Sequence, residues 1–325
     1  MRRSSPKAFA LILSALLLAA PVAAQEQMGD PSFRPTVARP AYAGEGPLIQ
    51  LDAAHDSVQT LDGRYAGFAA LVRADGYRIR AGERKLDAPG ALDGVDVLVI
   101  SNAVRPADGS SPDAFTPGEI AALDAWVRAG GSLLLAADHA PYGSANETLG
   151  RALGVEMGKG YAFVLTPGGP LTNLDYPAEA LGEHPITGGR DQGERVRHVR
   201  TFTGQSLRGA EGATVLLAMS ADAREAADLP TLREIDRRLE AGQASDVVLA
   251  ELSRPALPAQ GLAFEHGRGR VVVLGEAGML TAQVVRFPAD SGREDVVFGL
   301  QTPGHDDQQF ALNLLHWLSR IEGLR

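Results

Sequence analysis

Short apolar runs recur along this chain, and each ends in a polar group. Leu48-Ile49-Gln50-Leu51 runs into Asp52-Ala53-Ala54-His55-Asp56, and Val97-Leu98-Val99-Ile100 runs into Ser101-Asn102. Leu133-Leu134-Leu135 leads to Asp138-His139, and Val271-Val272-Val273-Leu274 leads to Gly275-Glu276. Unbroken apolar runs of this length are the pattern of strands buried on both faces. Between them the spacing becomes helical, with Phe68, Leu71 and Val72 on one face of 63–74. Thr116-Pro117-Gly118-Glu119 is a capping box with proline at the first helical position, opening a helix through Trp126-Val127 that stops at Gly130-Gly131. A last amphipathic helix runs over 305–321 through Phe310, Leu314, Leu315 and Leu318. Alternating strands and helices predict an α/β fold, a doubly wound, mostly parallel sheet of flavodoxin-like type. Gly267-Arg268-Gly269, between the apolar runs 262–266 and 270–274, predicts an antiparallel hairpin at the sheet edge.

The remaining segments are less regular. Residues 25–46 are rich in Pro, Gly and Ala and read as an irregular lead-in. Irregular insertions are expected around 155–212 and 220–245. Within or beside them, 161–165, 214–219 and 247–252 look like strands, 182–193 like a loop, and 229–241 like a surface helix with Leu232, Ile235 and Leu239 on one face. Pro167-Gly168-Gly169-Pro170 reads as a turn.

At the other extreme, Arg2, Arg3 and Lys7 precede an apolar stretch from Ala8 to Ala20 and then Pro21-Val22-Ala23-Ala24. This is the layout of a secretory signal over 1–24, giving a mature N-terminus at Gln25 and a periplasmic or secreted protein without a membrane anchor. The chain contains no cysteine, so it has neither disulfide nor thiol nucleophile. Its formal charge of -9 becomes three units more negative without the signal, and its basic residues are scattered, which argues against a nucleic-acid partner.

In an open parallel sheet, ligands bind beyond the carboxyl ends of the strands. Asp52, His55, Asp56, Ser101, Asn102, Asp138, His139 and Glu276 all follow apolar runs and are expected to converge there. Asp138, His139 and Glu276 are the candidate catalytic groups; the others, with His305, are candidate ligand contacts. His305 qualifies because Gly304-His305-Asp306-Asp307 marks a helix start, with Asp306 as its expected cap. Ser101 lacks a Gly-x-Ser-x-Gly elbow, and Ser144 is expected to cap a helix starting near Asn146. The carboxylates and imidazoles are also donors for a divalent metal, although no His-Glu-x-x-His spacing is present. His184, His198 and His266 read as surface residues, and His316 as packing beside Trp317.

The order of the run from Leu48 to Asp138-His139, of Gly269-Arg270-Val271-Val272-Val273-Leu274-Gly275-Glu276, and of Asn313-Leu314-Leu315-His316-Trp317-Leu318 resembles the secreted bacterial branch of the class I glutamine amidotransferase-like fold. The resemblance implies one such α/β domain over 47–325. In amidotransferases of this fold the elbow after the central strand carries a cysteine, and a His and a Glu follow a later strand. Here the elbow is Ala136-Ala137-Asp138-His139-Ala140-Pro141-Tyr142-Gly143, and the later strand ends in Gly275-Glu276-Ala277-Gly278 without a neighbouring His. Glu276 keeps the acidic position, but thiolate attack on glutamine is impossible. Two readings follow. One is an exported module without glutaminase activity that binds a polar small molecule or carbohydrate. The other is a metal-assisted hydrolase using Asp138/His139 and His55/Asp56.

Overall fold

Five parallel strands form the centre of the protein: Arg78–Gly82, Leu48–Asp52, Val97–Ser101, Ser132–Ala136 and Gly269–Leu274, side by side in that order. The computed structural model describes residues 26–324 other than 167, 168, 210, 253, 256, 257, 289–291 and 323. The signal segment 1–24, Gln25, and Pro167-Gly168 of the expected turn lie outside the described residues.

Side chains alternate across the sheet, so each apolar run feeds two cores. Ile49, Leu51, Val97, Val99, Leu134, Val272 and Leu274 face one side, against Phe68 and Leu71 of helix Ala66–Ala74 and Phe310 and Leu314 of helix Asp307–Leu318. Leu98, Ile100, Leu133, Leu135, Val271 and Val273 face the other, against Leu123 and Val127 of helix Pro117–Arg128 and Leu149 of helix Tyr142–Ala152. Most of these side chains are fully buried. Each contributes on the order of 1.5–3 kcal/mol of hydrophobic stabilisation. Helices thus cover both faces of a mixed sheet in an α/β fold.

Several expectations are corrected. The hairpin Ala259–His266/Gly269–Leu274 forms, but not at the edge: Leu207–Arg208 and Thr214–Ala218 pair with its outer strand, and Glu156–Met157 extends the sheet further. The expected strand at 214–219 thus forms, and 156–157 and 207–208, within the expected irregular insertion, help cover an otherwise open strand edge. The lead-in is not wholly irregular, because Glu26–Gly29 pairs antiparallel with Ala282–Arg286, itself paired with Val296–Gly299. Pairing through the backbone makes this strand, which carries no apolar alternation of its own. Residues 247–252 are not a strand; Ser245–Glu251 is a helix that buries Val248 against Phe163, Leu232 and Ile235. A short apolar run fits either element, and its packing partners decide. Helix Tyr142–Ala152 begins before Ser144, which sits in its first turn and does not cap it. Asp306 is the residue before the last helix, but its carboxylate accepts the Arg197 and His198 N–H groups and caps nothing.

A second hairpin, Asn173–Pro177/His198–Phe202, crosses from the insertion toward the carboxyl ends of the parallel strands. Together with the sheet of Glu26–Gly29, Ala282–Arg286 and Val296–Gly299, it walls a cavity above those ends.

Candidate functional site

The cavity has a volume of about 310 Å³. Asn102, Asp138 and Glu276 reach it directly from the ends of three adjacent strands, and His139 follows on the elbow. Asn102 Nδ2 donates to Asp138 Oδ2 at 2.6 Å, and the Asp138 N–H donates to Asn102 Oδ1 at 2.9 Å. The Ala277 N–H donates to the other Asp138 oxygen at 3.1 Å. Asp138 is therefore fixed on both oxygens by hydrogen-bond donors.

Glu276 is 2 % exposed and accepts the Gly278 N–H and, at 2.7 Å, the Met279 N–H. Burial pushes its carboxyl well above the usual carboxylate range and the Asp138 charge adds to this, while the backbone donors offset only part. The cavity thus holds a carboxyl whose burial favours its protonated form beside a second carboxyl fixed by hydrogen bonds. His139 turns Nδ1 toward the Ala140 carbonyl at 2.8 Å, so Nδ1 carries the hydrogen, and its ring stacks on Tyr161 with centroids 3.9 Å apart. Nε2 has no hydrogen-bond partner among the described residues.

The other lining residues escaped sequence reasoning. Arg64, just before helix Ala66–Ala74, is the only cation among the described lining residues, and its guanidinium has no ion pair or hydrogen bond there. Gln27, Gln59 and Gln283 supply amides, and Tyr142, Phe202 and Phe298 supply aromatic faces. Thr203 also lines the cavity; its hydroxyl is buried without a partner, and its backbone is left-handed at φ 58°. Asn102 is left-handed too, at φ 47°. Such a conformation is unusual for a β-branched residue and is retained where the surroundings over-determine it, often at functional sites. Only Thr203-Gly204, a polar residue before a glycine at a strand end, hints at this in the sequence.

Five candidates from the sequence do not line the cavity. Asp52, His55 and Glu119 form a buried group of their own: His55 Nδ1 is hydrogen-bonded to Asp52 at 2.8 Å and His55 Nε2 to Glu119 at 2.9 Å. Both His55 nitrogens are engaged by carboxylates, leaving none for a ligand or metal. Glu119 is the glutamate of the capping box, whose other oxygen accepts the Thr116 N–H at 3.0 Å. The sequence shows its capping role but not its second partner. Asp56 is exposed in the loop beyond. Ser101 is buried and donates to the Tyr65 hydroxyl at 2.7 Å, which in turn donates to the Ala277 carbonyl at 3.1 Å, a brace beneath the Glu276 loop. His305 meets Asp175 and His198 at a different place on the surface. The expected meeting of Asp52 and His55 with Asp138, His139 and Glu276 is thus not observed.

A second cavity of the same volume lies beside Arg39, Arg190, Glu194 and His316. Its charges neutralise one another, since Arg39 and Arg190 both hold Glu194. The strand-end cavity, by contrast, leaves Arg64 and His139 Nε2 open to a ligand.

No protein-family model matches the chain, and no curated protein matches it in sequence. In fold it is similar to the mmIFT52 N-terminal domain, at 12% identity and a TM-score of 0.54, over 84% of this chain and 97% of that one. Solved structures with looser likeness include a ThuA-like protein from Bacteroides uniformis, at 11% identity and a TM-score of 0.42 over 89% and 95% of the two chains. A glutamine amidotransferase from Thermotoga maritima aligns at 11% identity and a TM-score of 0.41, over 73% and 78%.

Proposed function

We propose that this chain is an exported binding protein for a polar small molecule of the carbohydrate class carrying an acidic group, held in the cavity at the strand ends. The observation that carries this reading is the unpaired Arg64 guanidinium in a cavity otherwise lined by hydroxyl, amide, carboxylate and aromatic groups. Carboxylates and amides pair with sugar hydroxyls, aromatic faces cover the apolar side of a sugar ring, and a guanidinium takes a carboxylate or phosphate bidentately. The volume is at the lower end of the roughly 300–1,000 Å³ typical of small-molecule sites. A doubly wound, flavodoxin-like reading of the sheet agrees with the position, since its parallel strands run in chain order second, first, third, fourth, fifth. Export rests on the signal-like segment 1–24, and N-terminal sequencing of protein recovered from the host's extracytoplasmic fraction tests it by looking for Gln25.

Calorimetric titration with uronic acids, sugar phosphates and their neutral parent sugars tests the ligand class. Binding of an acidic sugar that falls at least tenfold in Arg64→Ala supports the proposal. Equal affinity for the neutral parent, or binding indifferent to Arg64, counts against it.

His139 favours a second reading, metal-free hydrolysis, because its unpartnered Nε2 lies at the same cavity as Asp138 and as Glu276, whose burial favours the protonated carboxyl. Turnover of a glycoside or ester of the bound sugar, lost in His139→Gln with binding retained, distinguishes catalysis from binding alone. The chain has no thiol for glutaminase chemistry.

A further inference from the structure

We propose that Asp175, His198 and His305 form a divalent transition-metal site, separate from the strand-end cavity. Asp175 and His198 stand on the two strands of the hairpin Asn173–Pro177/His198–Phe202, and His305 on the turn before the last helix. Their ligand atoms all lie within 4.8 Å of one another. His305 Nε2 is 3.2 Å and His198 Nε2 3.6 Å from the same Asp175 oxygen, Oδ1. A tetrahedral metal with bonds of about 2.0–2.1 Å sets its ligands about 3.3–3.4 Å apart, so both spacings match an edge of that tetrahedron.

The hydrogen-bond chemistry points the same way. His305 Nδ1 faces the Pro303 carbonyl at 3.0 Å and must carry a hydrogen to satisfy it. Nδ1 is thereby occupied, and Nε2, 3.2 Å from Asp175 Oδ1, is the nitrogen left to face a metal. A ligating histidine that donates its other N–H to a backbone carbonyl is the usual arrangement around zinc. Asp175 is oriented in turn by Arg200, which donates to Oδ1 at 2.7 Å and Oδ2 at 2.9 Å. The ligand-bearing segments are also fixed to each other without metal: the Asp306 N–H donates to the His198 carbonyl at 2.7 Å, and the Asp306 carboxylate accepts the His198 N–H at 3.1 Å. Two imidazoles and one carboxylate select zinc, cobalt or nickel over calcium or magnesium, and three protein ligands leave coordination open to solvent. A bound metal would cross-link the hairpin to the start of the last helix.

The test titrates chelator-treated, full mature protein with Co²⁺ and then Zn²⁺. One equivalent of Co²⁺ should give a tetrahedral visible band that Zn²⁺ abolishes, and Zn²⁺ should raise the melting temperature by several degrees. His198→Gln and His305→Gln should each lose the band, with folding checked by circular dichroism; Asp175→Asn should weaken binding at least tenfold. His139→Ala should keep the band, which separates this site from the sugar-binding proposal. A featureless cobalt titration with no thermal shift overturns the site, as does a band that survives in both histidine variants or disappears only in His139→Ala. Should either histidine variant fail to fold, Asp175→Asn alone decides.

Discussion

Asn102 and Asp138 hold each other in both directions, the amide nitrogen donating to the carboxylate at 2.6 Å and the amide oxygen accepting the Asp138 N–H at 2.9 Å. One side chain thereby couples the ends of two neighbouring strands and sets the orientation of Asp138. Asn102→Ala removes both bonds and places a Cβ residue without local hydrogen bonding at φ 47°. A loss of about 1–3 kcal/mol is expected in urea unfolding. Asn102→Gly loses the same bonds but tolerates the backbone, and should be the milder change by about 1 kcal/mol.

His55 and His139 should respond differently to the same substitution. His55→Ala leaves Asp52 and Glu119 buried without their shared partner, and about 3–5 kcal/mol should be lost. His139→Ala loses a partly open ring stacked on Tyr161, about 0.5–1.5 kcal/mol, while abolishing any hydrolysis. Equal destabilisation by the two variants would contradict the assignment of His55 to structure and His139 to the cavity.

These two histidines also show how far the sequence could be read. The central strands were legible because burial on both faces leaves an unbroken apolar run, and Asn102, Asp138 and Glu276 followed because each lies within two residues of a strand end. His55 follows a strand end too, but the turn through Ala53-Ala54 brings it back onto Asp52, and its second partner lies 64 positions away on a helix cap. No local pattern encodes that pairing. Arg64, Gln27 and Thr203 were missed for a related reason: they reach the cavity through strand pairing and backbone conformation, neither of which leaves a periodic signal.

Glu276 predicts a pH dependence on the alkaline side. Its folded proton affinity is raised by burial and by Asp138, so its contribution to stability is present below the unfolded value of 4.5 and is lost as pH rises toward the folded one. Glu276→Gln does not titrate. Its stability relative to the parent should therefore increase with pH above about 4.5 in denaturant unfolding, and a constant difference from pH 4 to pH 8 would refute the assignment.

Glu194 gives the opposite sign. Burial pushes its carboxyl up, but hydrogen bonds from Arg190 and Arg39 outweigh this and hold it at about 2. Its stabilisation is complete above the unfolded value and is lost as pH falls through about 2, a contribution of up to about 3 kcal/mol. Thermal melts of Glu194→Gln should show a flatter acid limb than the parent between pH 4.5 and pH 2.

Thr203→Gly should melt no lower than the parent. The left-handed backbone costs a β-branched residue about 1–2 kcal/mol, the hydroxyl is buried without a partner, and glycine removes both penalties. Binding of an acidic sugar should weaken at the same time, and a large fall in melting temperature would show that Thr203 serves the fold.

The Gln27 amide donates to Gln283 at 3.0 Å across 256 positions of sequence, and both residues line the cavity. This wall joins the two ends of the chain, so it depends on the assembled fold rather than on any local segment. Any occupant of the cavity is therefore bound by the native state alone, and ligand at a hundred times its Kd would stabilise the protein by about 2.7 kcal/mol against unfolding. The chain's resistance to denaturation in the compartment where it works would then follow the supply of its ligand.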